Sequence, residues 1–188
     1  AVYPKLLAIS VVYDEVGAVQ YHIANFKDIS AEKATQAKLE YIAHHDMLTG
    51  LNNRFRLDSY LSSLAAPTTS TDKIYLFICD LDNFKQINDT YGHYEGDHAL
   101  REASRLLKAA TARGDFLARY GGDEFILITK CENDTAAMEL RQKIQNAFRT
   151  HAEQTDRPYQ LSLSIGLSPC SSDISSCFKK ADECLYIE

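Results

Sequence analysis

The chain has 188 residues, 45% of them hydrophobic and 24% charged, the make-up of a globular fold with one ordinary domain and part of another. Its formal net charge of −6 argues against the broad basic surface that nucleic-acid binding needs, so an anionic ligand would have to arrive with a cation. No apolar run approaches the roughly 18 to 20 residues that span a bilayer, and no basic-then-apolar signal sequence opens the chain, so no membrane contact is expected of it.

Residues 1–29 read as two strands about a turn: LLAISVVY (6–13), DEVG, then AVQYHIANFKDI (18–29). Two strands alone are marginal in water, so this pair is expected to close a larger domain. Ser30 suits an N-cap, and AEKATQAKLEYIAHH (31–45) then reads as a helix. Its apolar stripe, Ala34, Ala37 and Tyr41 with Leu39 and Ile42, is about two heptads long and suits a connector, lying on its own domain or pairing with a second copy.

The larger unit begins near Asp46. RFRLDSYLSSL (54–64) has helical spacing, and AAPTTSTDK (65–73) reads as a loop. IYLFI (74–78) is the short continuous apolar run of a buried strand, ending at Cys79 and Asp80. A short helix follows with Phe84, Ile87 and Tyr91 on one face and Gly92 as its stop, then a longer one over 95–110. A hairpin over 116–129, a helix over 135–151, an alternating strand over 160–167 and a last helical stripe from Ile174 to Leu185 complete the unit. The order α-β-α-α-β-β-α-β-α predicts an α+β fold, helices flanking a mixed, largely antiparallel central sheet. Five cysteines with no C-x-x-C spacing suggest neither a disulfide framework nor a zinc site, and fit a reducing cytoplasm. Cys177 and Cys184 read as small core residues, and the pair His44-His45 as structural or solvent-facing.

The chemistry gathers in two stretches. In LARYGGDEFILIT (117–129), Gly121 and Gly122 read as a two-residue hairpin turn, followed at once by Asp123 and Glu124. Turns favour acids, but two glycines beside two carboxylates also suit a metal-held phosphate approaching the backbone. In FICDLDNFKQINDTYGHYEGD, Asp80 ends a buried strand, where α/β sheets bind ligands, and Asp82 is two residues on. An acidic strand end is costly unless solvated, paired or bound to a cation, and hard oxygens are what Mg²⁺ prefers. Lys85 and Asn88, three apart, share a helix face, a cation beside an amide suited to a phosphate and a base edge. Asp97 reads as a first-turn helix acid. If the hairpin pairs beside the 74–80 strand, Asp80 and Asp123 form a two-part metal site. No G-x-x-x-x-G-K-[ST] occurs, so the phosphate cradle is not a P-loop.

RYGGDEF (119–125) resembles the signature of the GGDEF-domain diguanylate cyclases, and DMLTGLNNR (46–54), DLDNFKQINDTYGHYEGDHAL (80–100), LSIGL (163–167) and ADECLY (181–186) resemble further blocks of that family in order. The resemblance covers roughly residues 44–188 and implies a nucleotidyl-cyclase-like fold with a ferredoxin-like core. Residues 1–29, running into FKDIS (26–30), resemble the closing strands of a PAS sensor domain. The implied organisation is a PAS-like fragment (1–29), a signalling helix (30–45) and a GGDEF domain (46–188).

The resemblance further implies condensation of two GTP into cyclic di-GMP with release of two pyrophosphates, across a homodimer of two facing domains. Asp80 and Asp123 would ligate Mg²⁺ (two ions per GTP, Mn²⁺ a substitute), with the Leu81 carbonyl as a further ligand. Asn88 and Asp97 would read the guanine edge, and His93 and Lys85 match positions near the nucleotide, Lys85 steadying phosphates. Gly121 and Gly122 would leave room for the triphosphate. Asp123 and Glu124 flank the attacking 3′-hydroxyl, and the resemblance does not say which accepts its proton. A silent GTP-binding or cyclic-di-GMP-sensing module is the alternative, as is a different nucleotidyl cyclase or a polymerase-palm-like transferase. Two departures stand out. Asp115 fits the acid of the family's R-x-x-D product-inhibition site, but Ala112 stands where the arginine would be. The match also stops at Glu188, before the basic AK…GRN-like ending and its phosphate-contacting lysine.

Overall fold

The computed structural model describes residues 3–64, 73–170 and 174–185. It divides into two compact units, Ala1–Ile42 and Ala43–Glu188. The loop expected over 65–73 lies, apart from its last residue, outside the described residues, as does Tyr186 of the ADECLY block.

In the first unit, β1 (Lys5–Tyr13) pairs antiparallel with β2 (Val19–Asp28). Asp14 shapes the connecting turn by accepting the backbone N–H of Val16 and Ala18, and Gly17 supplies its positive φ of 81°. Helix α1 (Ser30–His44) follows. Asp28 takes the capping role expected of Ser30: its carboxylate accepts the Ser30 N–H at 2.8 Å. The two strands alternate in sequence yet bury no residue, with Ile9 and Phe26 more than half exposed.

The second unit holds α2 (Arg54–Leu64), β3 (Lys73–Leu81), α3 (Phe84–Tyr91), α4 (His93–Ala110), β4 (Phe116–Gly121), β5 (Glu124–Cys131), α5 (Asp134–Gln154), β6 (Leu163–Cys170) and α6 (Ile174–Leu185). The strand order is β4-β5-β3-β6 with every pairing antiparallel, a split β-α-β-β-α-β arrangement. Among the described residues the single parallel contact is an isolated bridge between Asn52 and Ala118.

Strand β3 is central, and its unbroken apolar run has a simple cause: both faces are covered. Tyr75, Phe77, Cys79 and Leu81 join one core with Ile87, Leu100, Leu107, Ile144 and Phe148 of α3, α4 and α5. Leu76 and Ile78 join the other with Leu57 of α2 and Cys177 and Ala181 of α6. Each such buried Leu, Ile or Phe side chain contributes about 1.5–3 kcal/mol. Cys177 is buried as its pattern predicts, but Cys184 is exposed: the packed positions of α6 run Cys177, Ala181 and Leu185, and Cys184 falls outside them. Gly166 is required by packing: a Cβ would sit 1.9 Å from the Ala181 carbonyl, so only glycine lets α6 lie this close to β6. Among the described residues no helix is long and apolar enough to cross a membrane.

Candidate functional site: an acidic rim at the end of β3

Strand register decides which acids meet. Asp80 of β3 stands opposite Glu124 of β5 on one side and opposite Ser164 of β6 on the other. Residues directly opposite in antiparallel strands share a face, so Glu124, Asp80 and Ser164 form one row across the sheet. Asp123 sits in the hairpin turn beside this row, and its carbonyl accepts the Leu81 N–H at 3.2 Å. Leu81 and Asp123, 42 apart in sequence, are thereby brought together. The Leu81 side chain is in the core, leaving only its backbone to serve the rim.

The hairpin differs from the expected one by a single residue. Gly121 is the last residue of β4 and pairs with Glu124, so the turn residues are Gly122 and Asp123. A register shift between Arg119 and Gly121 absorbs Tyr120 and moves the turn forward. Gly122 has φ of 50°, the left-handed region that favours glycine, whereas Gly121 does not. A Cβ at either would meet nothing within 4 Å, so packing within the chain does not demand glycine at 121.

Negative charge on the rim is only partly compensated. Burial, reinforced by the charges of Asp123, Glu124 and Asp82, pushes the Asp80 carboxyl up to about 6. Burial and then Asp123 and Asp182 raise Glu124, against a pull the other way from Arg54. Arg54 itself lies over the Tyr120 ring, 4.6 Å from its centre. A cavity of about 350 Å³ opens beside Glu124, walled by Tyr120, Phe178, Lys179 and Asp182. A larger one, about 450 Å³, lies by Lys108, Arg113 and Asp115, away from the acidic row.

A second group forms where α3 meets α4. The Asn88 side-chain oxygen lies 3.2 Å from His93 Nδ1. It also rests on Gly96, where a Cβ would stand 2.1 Å from it, so any side chain at 96 would displace the Asn88 amide from this position. Asp97 follows, half exposed and 3.8 Å from Arg101. Because Gly92, with φ of 83°, ends α3 and α4 starts at His93, Asp97 falls in the second turn of α4 rather than the first. Lys85 is exposed on α3, with no hydrogen bond or ion pair among the described residues. At about 1.5 Å of rise per residue, Asn88 lies about 6 Å along α3 from its start. The two groups are therefore joined by one short turn and one short helix.

Several positioning residues escaped the sequence reading. Arg119 pairs through Nη1 with Asp46 at 3.2 Å and donates from Nε and Nη2 to the Gly122 carbonyl at 2.9 and 2.7 Å. It thus ties the 46–53 loop to the turn carrying Asp123. Asp46 also accepts the N–H and hydroxyl of Thr49, at 2.9 and 2.7 Å. Gly96 had a readable signal, a glycine inside a helical pattern. The Asp46–Arg119 pair, 73 residues apart, had none.

A family model described as "Diguanylate cyclase, GGDEF domain" matches residues 43–188. The chain belongs to the GGDEF family. It is 31% identical over 160 residues to the diguanylate cyclase DgcM of Escherichia coli, a match covering 85% of this chain and 39% of DgcM. It is 30% identical over 174 residues to the cyclic di-GMP phosphodiesterase PdeR of the same species, covering 87% of this chain and 25% of PdeR. Among solved structures, the coiled coil and GGDEF domain of DgcB from Caulobacter crescentus, in complex with c-di-GMP, superposes with a TM-score of 0.75 at 25% identity, covering 84% of this chain and 86% of that one. The chain therefore spans less than half the length of the two curated relatives.

GGDEF-family diguanylate cyclases are generally divalent-metal dependent, and the rim suits such an ion. Its donors are hard carboxylate oxygens, and the Asp80 carboxyl is raised first by burial and then by neighbouring carboxylates, both of which a cation would offset. Among the described residues no three or more His, Cys, Asp or Glu side chains close a metal cage. A cation held here would complete its shell from backbone, water and a ligand's phosphate oxygens, as small hard cations do at nucleotide sites.

Proposed function

We propose that this chain is a diguanylate cyclase, joining two GTP into cyclic di-GMP and releasing two pyrophosphates. The observation that carries the reading is the meeting of Asp80, Asp123 and Glu124 at one strand end in a chain of the GGDEF family. In each half-reaction a 3′-hydroxyl oxygen bonds to the α-phosphorus of the other GTP, the bond to pyrophosphate breaks and the hydroxyl proton leaves. Asp80, Asp123 and the Leu81 carbonyl would hold Mg²⁺, two ions per GTP with Mn²⁺ as a substitute. The ions supply neutralisation of the triphosphate and of the charge that develops during transfer. Asn88 and Asp97 take the guanine edge, with His93 beside Asn88, while Lys85 steadies phosphate. Gly121 and Gly122 leave the hairpin bare for the triphosphate, and Asp123 or Glu124 accepts the proton.

One domain binds one GTP, so two must face each other. Residues 1–29 then act as the end of a PAS-like sensor, and the helix over 30–45 as a connector that sets how the two domains meet, in a reducing cytoplasm. A chain that stays monomeric at high concentration with unchanged specific rate would remove the dimer. The decisive experiment incubates the protein with GTP and Mg²⁺ and identifies the product by mass. Cyclic di-GMP with two pyrophosphates per turnover supports the reaction. GTP bound but unchanged would instead support a regulatory module, a reading that the similarity to PdeR keeps in view.

A further inference from the structure

We propose that Ser164 is a positioning residue of the acidic rim: by holding Asp82 to β6 it fixes the turn between β3 and α3 and leaves Asp80 and Asp123 as the acids offered to a cation. The inference rests on the nucleotide-binding reading above and adds to it a residue on a third strand.

Ser164 stands directly opposite Asp80 and shares its face of the sheet. Its hydroxyl nevertheless donates to Asp82, at 2.6 Å. The Asp82 N–H donates to the Ser162 carbonyl at 3.1 Å, so Asp82 is fastened twice to the same segment. On the other side of the turn, the Leu81 N–H is fastened to the Asp123 carbonyl at 3.2 Å. The turn is thus stretched between β6 and the hairpin.

Between these anchors and α3 lies Asn83, with φ of 56°, the only non-glycine residue in the left-handed region among the described residues. Asparagine tolerates that region better than most residues, and its side chain makes no capping bond to α3 that would add to this tolerance. A strained residue persists only where its surroundings over-determine it, and the anchors on Leu81 and Asp82 are those surroundings. Charge points the same way. Asp82 is a further carboxylate near Asp80, and its field already reaches that residue. Held by a hydroxyl donor, it faces β6. Released, it would free the turn from β6, so that the Leu81 carbonyl and Asp80 lose their fixed placement for a cation.

The test uses the full chain as wild type, Ser164→Ala and Ser164→Thr. Calorimetry gives the affinity for a non-hydrolysable GTP analogue with Mg²⁺ and with EDTA, and Tm is measured alongside. Ser164→Ala is expected to weaken analogue binding about tenfold in Mg²⁺, the worth of one charge-assisted hydrogen bond, and much less in EDTA. Ser164→Thr keeps a hydroxyl and is expected to restore binding. Wild-type affinity in Ser164→Ala, an equal loss with and without Mg²⁺, or no rescue by threonine would overturn the proposal. A wild-type chain that binds the analogue yet forms no cyclic dinucleotide would sink the reaction while leaving the Ser164 result standing. One that binds no analogue would overturn both.

Discussion

Asp46 on one side of the hairpin and Asp80 and Glu124 on the other are treated in opposite ways. Burial alone would raise Asp46, but hydrogen bonds from Thr49 and the Arg119 guanidinium outweigh it and hold its carboxyl below the ordinary value. Asp80 and Glu124 are held above theirs, each by burial first, then Asp80 by the charges of Asp123, Glu124 and Asp82 and Glu124 by those of Asp123 and Asp182. Arg119 stands close enough to the turn to bond Gly122, yet its ion pair goes to Asp46. The fold uses its cation to fasten the hairpin and leaves the acids that the hairpin carries short of positive charge. Such an arrangement costs stability in the free protein, a cost that a cation bound at the proposed site would offset.

Removing a rim acid should give the largest effect and separate the two sets most clearly. Asp80→Asn and Asp123→Asn are each expected to lower cyclic di-GMP formation by on the order of 10²–10³-fold, the scale for losing one preorganised electrostatic group. Tm in EDTA should hold or rise, since like charges are relieved. A marked fall in Tm with either variant would show that these carboxylates are structural. Asp46→Ala should behave the other way. It leaves Arg119, whose side chain is only 15% exposed, without its ion-pair partner. A stability loss of about 2 kcal/mol by urea unfolding is expected, below the figure for a fully buried pair because water reaches this one. A loss near zero would mean that the Gly122 carbonyl alone holds the arginine.

The contrast also has a pH signature. The Asp80 carboxyl binds its proton more tightly in the folded chain than in the unfolded one. Its stabilising contribution is therefore complete below about pH 4 and is lost as pH rises to about 6. Asp46, held low, contributes stability at neutral pH that is lost as pH falls below the ordinary carboxylate range. In EDTA, Tm should thus decline between about pH 4 and pH 6, and Asp80→Asn should flatten that decline. The same slope in both proteins would remove Asp80 as its source. Solvent screens the rim, so a shift of only a few degrees is expected.

Periodicity reaches some of these features and not others. The order of elements in the second unit and the double burial of β3 were legible, because hydrophobic repeats of 3.6 and of runs without alternation report local geometry. The turn at Gly122–Asp123 was displaced by one, because the irregularity at Tyr120 depends on a neighbouring strand. The start of α4 was missed by two residues, because it follows from Gly92 closing α3. Asp80 and Asp123 were legible as candidate acids, but their approach depends on β3–β5 register, which no local pattern encodes. The pairs that brace the rim, Asp46 with Arg119 and Asp82 with Ser164, join chain segments 73 and 82 residues apart. The β1–β2 pair shows the converse. Its alternation is strong in sequence, yet within its own unit no partner layer converts it into a core.

The smallest effect is expected at Asp115, the acid nearest the second cavity. One of its carboxylate oxygens accepts the Ala112 N–H at 2.7 Å and the other accepts the Thr129 hydroxyl at 2.5 Å. Asp115 thereby closes its own turn, as the backbone bond from its N–H to the Ala112 carbonyl also does. Alanine at 112 offers no guanidinium to a phosphate, and Arg113 is one residue late on an exposed turn. Added cyclic di-GMP is therefore expected to leave the initial rate of the wild-type chain unchanged at saturating GTP. Ala112→Arg supplies the missing cation without disturbing the Ala112 N–H, and should introduce inhibition that rises with product and does not yield to more GTP. Inhibition already present in the wild type and removed by Arg113→Ala would show that the displaced arginine reaches the ligand after all. Asp115→Ala would be a poor probe, because it would also open the turn that Thr129 and Ala112 close.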